Sequence, residues 1–166
     1  MQKDFVDGSL GSKEAVSIVP AVVKKARDFD GTVLFTRDTH GEDYMETQEG
    51  KYLPVAHCIR GTEGWELIPE LEEMKDSRKA QCFDKPAFGS VALAEALRAM
   101  YEAGELGSVE LVGLCTDICV VSNALLIKAF MPELPVSVDA SCCAGVTPEK
   151  HAAALETMRS CQIQIL

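Results

Sequence analysis

The sequence predicts an α/β protein, a three-layer αβα arrangement in which a mostly parallel sheet is covered by helices on both faces. Two observations carry this. Short apolar runs alternate with helical patterns along nearly all of the 166 residues, the alternation that builds βαβ units. The run Ser108-Val109-Glu110-Leu111-Val112 then passes through Gly113 to Cys119 into a helical pattern from Val120 to Phe130. A buried strand that turns directly into a helix places its turn at the carboxyl edge of the sheet, where open α/β folds bind ligands. The length suits one domain over residues 1–166 with a sizeable core.

Taken in order, Met1 to Gly11 is polar and turn-rich, anchored by Phe5 and Val6. Ser12 can cap a helix reaching Asp28, with Ile18, Val19, Val22, Val23 and Ala26 as its apolar stripe and Pro20 as a kink or a later start. Thr32 to Arg37 reads as a buried strand. The connection from Asp38 to Gly64 is longer than packing requires, and such loops are usually functional. Gly64 to Met74 is expected to form a short helix, and Lys79 to Phe83 a short strand ending in Asp84-Lys85-Pro86. Ser90 to Ala103 is an amphipathic helix stopped by Gly104. After the helix that follows Cys119, Pro132 is the stop; Val136 to Asp139 is a strand, Thr147 to Arg159 a capped helix with Pro148 at its first position, and Cys161 to Leu166 an edge strand.

Composition narrows the partners. A formal charge of -10 lacks the basic footprint of a nucleic-acid binder. No run approaches a membrane span, and no basic-then-apolar leader opens the chain. Seven cysteines without an even spacing pattern read as reduced thiols, which places the protein in the cytoplasm.

Three groups of residues carry chemistry. Cys119 stands where the strand gives way to the helix, facing free backbone N–H groups and the positive end of the helix dipole; both favour the nucleophilic thiolate. A small buried residue is the plain alternative, since free cysteine is commonly buried. Asp38, His40, Glu49 and His57 share the long loop, and carboxylate oxygen with imidazole nitrogen suits zinc, iron or manganese. Spacing alone does not separate such a site from ordinary polar loop residues, because Glu42, Asp43 and Glu46 compete with Glu49. Lys85, at the carboxyl edge of a strand, can hold a thiolate or stabilise developing negative charge, although lysine sits in water by default. His151, on the last helix, is expected to face solvent.

Gln2-Lys3-Asp4-Phe5, Thr36-Arg37-Asp38-Thr39-His40, His57 to Gly64, Asp84-Lys85 and Gly113-Leu114-Cys115-Thr116-Asp117-Ile118-Cys119-Val120 together resemble the isochorismatase-like cysteine hydrolases, and within them most of all the nicotinamidases. The resemblance runs in order across nearly the whole chain. It implies a six-stranded parallel sheet, Cys119 as nucleophile and Lys85 as the lysine of an Asp–Lys–Cys triad. It also implies a cis peptide bond between Leu114 and Cys115 that aims the N–H groups of Cys115 and Cys119 at an oxyanion. The divalent metal, zinc first, would be held by Asp38, His40 and His57, with Glu49 as the fourth ligand, and would take the ring nitrogen of a small amide substrate. Isochorismatases proper lack this metal set, so the Asp-x-His start favours an amidase. The implied reaction is nicotinamide to nicotinate and ammonia through a thioester on Cys119. The alternatives are another small-amide or carbamoyl hydrolase, and a catalytically silent chain that only binds or assembles. Homo-oligomers are common in the family.

The chain departs from the family pattern at its beginning. The triad aspartate and the apolar strand leading to it would fall immediately before Met1, while Asp4 matches the family's second aspartate. Met1 is therefore expected to be an internal methionine. The missing base should cost on the order of 10²–10⁴-fold in rate. The missing strand is expected to be central, so its neighbours would lose ladder hydrogen bonds.

Overall fold

Strands and helices do alternate, and every strand pair is parallel. The computed structural model describes residues 1–166. Its helices are α1 (Lys3–Val6), α2 (Lys13–Asp28), α3 (Gln48–Tyr52), α4 (Pro69–Arg78), α5 (Val91–Glu102), α6 (Val121–Phe130) and α7 (Pro148–Ser160). Its strands are β1 (Phe35–Asp38), β2 (Cys82–Lys85), β3 (Val109–Leu114), β4 (Val136–Ala144) and β5 (Gln164–Ile165). No helix is long and apolar enough to cross a membrane.

Local chemistry explains most boundaries. Ser12, Ser90 and Thr147 each accept the N–H three residues on, at 3.0, 3.2 and 3.2 Å, so α2, α5 and α7 begin where a hydroxyl satisfies an orphan donor. α2 runs through Pro20 without ending. A mid-helix proline costs about 3 kcal/mol; burial of Ala15, Ile18, Val22 and Val23 offsets it. The helix expected over Gly64 to Met74 is instead a 3₁₀ turn, Glu63–Trp65, followed by α4 from Pro69. Pro69 sits in the first turn of α4, where its missing N–H costs nothing, and Lys79 closes the helix at φ 51°.

The sheet is interrupted, in line with the ladder hydrogen bonds expected to be lost at its centre. The five strands form two sheets, β1-β2 and β3-β4-β5, rather than one continuous sheet. Phe35 pairs with Cys82 and Asp38 with Lys85 in the first; Val109 pairs with Val136 and Leu114 with Ala144 in the second. β5 is the edge strand beyond β4. Helices cover both faces. One core joins Phe83, Leu93, Leu97, Ala124, Ile127, Val138 and Met158; the other joins Ile18, Val22, Phe35, Leu67, Leu71 and Ala144.

Between β1 and β3 lies a largely apolar groove of about 480 Å³, lined by Val33 to Thr36 on one side and Val109 to Leu114 on the other. Val22 and Ala26 of α2, with Leu93 and Leu97 of α5, line it as well. In a parallel ladder alternate residues bond to opposite neighbours. Phe35 and Thr39 donate to β2-side carbonyls of Gln81 and Lys85, and Val109 donates to Pro135, each at 3.0 Å. The peptide groups of Thr36, Glu110 and Val112 are therefore turned toward the groove. At its upper end a side chain does a strand's work: Gln2 Nε2 donates to Asp38 O at 2.8 Å, and Asp38 N–H donates to Gln2 Oε1 at 2.7 Å.

Amide hydrogen exchange checks this arrangement. The N–H groups of Thr36, Glu110 and Val112 should exchange about 100-fold faster than those of Arg37 and Leu111, which face a paired strand; equal protection would mean the groove edges are bonded in solution.

Candidate functional site

The carboxyl ends of β1, β2 and β3 converge at one end of the groove, where Asp38, Lys85 and Cys119 line it together. Lys85 ends β2 with its side chain only 3% exposed. Its ammonium has three partners: Asp38 Oδ1 at 3.2 Å, Cys119 Sγ at 3.3 Å and the Ala87 carbonyl oxygen at 3.1 Å. Three donors thus find three acceptors, which is what a buried ammonium requires. Burial works against the Lys85 charge, and the sulfur and Asp38 more than compensate, holding its pKa above the ordinary value.

Cys119 lies in a π-helical turn, Thr116–Val120, that leads into α6. It is therefore not the first residue of an α-helix. Such turns concentrate at functional sites. The Leu114–Cys115 peptide bond is cis, and the Cys115 N–H faces the Cys119 sulfur. Burial pushes the Cys119 thiol up from its ordinary value; Lys85 and that N–H pull it back without overcoming burial. Position at the strand end does not act alone on Cys119: burial raises its thiol, and Lys85 is the main charge acting the other way. Cys115, buried beside it, is pushed up to about 12.

The four loop residues come together. Ligand atoms of Asp38, His40, Glu49 and His57 all lie within 4.8 Å of one another. His40 Nε2 is 3.4 Å from Asp38 Oδ2 and 3.8 Å from Glu49 Oε1; His57 Nε2 is 3.7 and 3.8 Å from the same two oxygens. Ligands bound about 2.1 Å from one ion in a tetrahedron stand roughly 3.4 Å apart, so the spacing fits a shared cation with little adjustment. Two details point the same way. His40 Nε2 is buried without a hydrogen-bond partner. His57 Nδ1 lies 2.9 Å from the Val55 carbonyl oxygen, which can only accept, so Nδ1 carries the hydrogen and Nε2 keeps its lone pair for a metal. Glu42, Asp43 and Glu46 are not in the cluster.

The loop is shaped to bring Glu49 back. Thr47 caps α3 by accepting the Gly50 N–H at 3.0 Å, and Gly50 passes so near Tyr44 that a Cβ would sit 2.1 Å from the Tyr44 carbonyl oxygen. Tyr44 is fully buried, packs edge-on against both histidine rings and donates to Leu53 O at 2.9 Å. Asp4 accepts the Cys58 N–H at 2.7 Å, fixing the backbone just after His57, while Phe5 meets the His57 ring edge-on. On the outer side the Arg37 guanidinium lies 3.7 Å above the Trp65 ring and bonds Asp84 at 2.9 Å, and Trp65 Nε1 donates to Thr39 at 2.8 Å. These contacts hold the residues flanking Asp38 and Lys85.

Sequence reasoning assigned Asp38 to the metal cluster alone. Its two oxygens serve both groups, Oδ1 toward Lys85 and Oδ2 toward the histidines. Burial tends to raise the Asp38 carboxyl, yet the His57 contact and the Lys85 ammonium hold it below its ordinary value. Gln2, Asn123 and His151 were missed. Asn123 Nδ2 donates to Cys119 O at 2.8 Å, and its spacing four residues after Cys119 was the available signal. His151 is not solvent-facing as expected; it is half-buried, with Nδ1 2.8 Å from Thr116 Oγ1.

Comparison with known proteins follows the same lines. The isochorismatase domain model matches residues 1–166. The nicotinamidase/pyrazinamidase PncA from Bacillus subtilis superposes with a TM-score of 0.84 at 26% identity, covering 99% of this chain and 93% of that one. The pyrazinamidase/nicotinamidase of Streptococcus mutans UA159 gives 0.84 at 28% identity, with 99% and 95% covered. The pyrazinamidase of Pyrococcus horikoshii, solved in complex with zinc, gives 0.77 at 28% identity, with 100% and 94% covered.

Two measurements check the site. Alkylation of Cys119 by iodoacetamide should still be rising with pH where an ordinary thiol, of pKa about 8.5, has levelled off, because burial raises its pKa. Lys85→Met should slow it at least about 10-fold at pH 8. Metal-free protein should bind zinc with one ion per chain, and His40→Ala should weaken binding beyond the roughly 10–100-fold that loss of an outer partner costs.

Proposed function

From the premise that the chain belongs to the isochorismatase domain family, whose model spans it, we propose that it is a cysteine amidohydrolase converting nicotinamide to nicotinate and ammonia. The observation that carries this reading is the position of one lysine nitrogen, 3.3 Å from Cys119 Sγ and 3.2 Å from Asp38 Oδ1. It couples a nucleophile to a cluster of metal-ligating side chains through one carboxylate.

The chemistry runs in two steps. Cys119, as thiolate paired with the Lys85 ammonium, attacks the carboxamide carbon. The N–H groups of Cys115 and Cys119 take the developing oxyanion. Lys85 gives a proton to the departing nitrogen, ammonia leaves and a thioester remains on Cys119. Water then attacks the thioester while the Lys85 amine takes its proton, so the acid is released and the thiolate–ammonium pair returns. Phe5, edge-on to the His57 ring, stands beside the acid–histidine cluster where the substrate ring would sit. Asp38, His40, Glu49 and His57 would hold a divalent cation, zinc or else iron or manganese, which when bound supplies an electron-pair acceptor for the ring nitrogen.

The test is direct. Zinc-loaded protein incubated with nicotinamide should release nicotinate and ammonia in equal amounts. Cys119→Ala should abolish turnover, and Lys85→Met should lower kcat by about 10²–10⁴-fold. Absence of nicotinate from metal-loaded, folded protein would overturn the proposal.

A further inference from the structure

Thr116, the first residue of the turn that carries Cys119, is fully buried. Its hydroxyl has no access to water, and its partner is Nδ1 of His151 at 2.8 Å. His151 lies in the first turn of α7, a helix that contributes nothing else to the site. The ring and the hydroxyl share one hydrogen, whichever of the two carries it. Two more contacts join the same surfaces. Asp117 Oδ1 accepts the Val146 N–H at 2.9 Å. Gly145 passes between, and a Cβ there would stand 2.8 Å from both Asp117 Oδ1 and His151 N. Only a residue without a side chain lets the α7 lead-in approach the turn this closely.

A π-helical turn closes a wider ring than an α-helical one and is less well held by its own bonds. Here it is gripped from both sides. Asn123 takes the Cys119 carbonyl oxygen and accepts the Ser90 N–H at 2.9 Å; His151 takes Thr116 on the other. We propose that His151 is a positioning residue, which through the Thr116 hydroxyl holds the nucleophile turn so that the Cys119 sulfur meets the Lys85 ammonium. Burial lowers the His151 pKa from its ordinary value, with Asp117 acting the other way, so the ring is neutral at physiological pH and adds no charge of its own. Its effect is mechanical.

The test compares His151→Leu, His151→Asn and Thr116→Val, each checked for folding by thermal denaturation. Two rates are read: alkylation of Cys119 at pH 8, and kcat with KM on nicotinamide. The second rests on the amidase reading; the first needs no substrate, so failure of that reading and failure of this one are distinguishable. His151→Leu and Thr116→Val should each slow alkylation about 5–10-fold and lower kcat about 10–100-fold with KM nearly unchanged, the scale of a small misplacement of a reacting group. The double variant should be no worse than either single one, because both remove the same contact. His151→Asn, whose amide can place a polar atom near the Nδ1 position, should recover most of both rates. Unchanged alkylation in folded His151→Leu overturns the proposal. So does faster alkylation, the mark of a turn that has merely come loose and exposed its thiol, and so does an asparagine variant no better than leucine.

Discussion

A buried ammonium that must be neutralised on every side organises this molecule. Lys85 ends β2, and the groups that satisfy it come from three places: Asp38 at the end of β1, Cys119 in the turn after β3, and the Ala87 carbonyl just beyond it. Removing any one would leave a charge or a donor stranded in a medium that solvates it poorly, a loss of about 3–5 kcal/mol for a broken buried pair. The surroundings work to keep Asp38 in place. Gln2 clasps its backbone from one side, and Arg37, stacked on Trp65 and bonded to Asp84, fixes the next residue. Because one Asp38 oxygen faces Lys85 and the other faces the two histidines, the lysine–cysteine pair and the acid–histidine cluster share a single carboxylate. A disturbance on either side reaches the other through one side chain.

Much of this was legible before any coordinates. Hydroxyl caps at Ser12 and Thr147, the alternation of strand and helix, and the residues near which each strand lies are all local properties, and the structure keeps them. So is the coincidence of Cys119, Lys85 and the long acidic loop at carboxyl edges, since parallel strands bring those edges together. What local pattern could not convey is pairing over distance. Gln2 acting as a surrogate strand for Asp38, and His151 reaching Thr116, join residues 36 and 35 positions apart. Nothing in the spacing of either residue foretells its partner. The surroundings of Cys119 are only partly legible for a related reason: helix-end electrostatics can be read from sequence, whereas the extent of desolvation depends on what packs above the turn.

The groove between β1 and β3 explains a feature of the burial pattern. β3 is flanked by helices on both faces, as an interior strand should be, yet Val109 to Val112 and Leu114 are only partly buried. Their exposed side is the one facing β1. The two sheets are held together by what spans them: the helices on both faces, the Gln2 clasp, and the contact between Lys85 and Cys119.

That last contact gives the groove a consequence for reactivity. Lys85 ends a strand of one sheet and Cys119 follows a strand of the other, so their 3.3 Å contact bridges the two. The charge that counters the burial of the thiol is thus delivered across the gap, and the acidity of one sulfur depends on how the two halves of the sheet are set against each other.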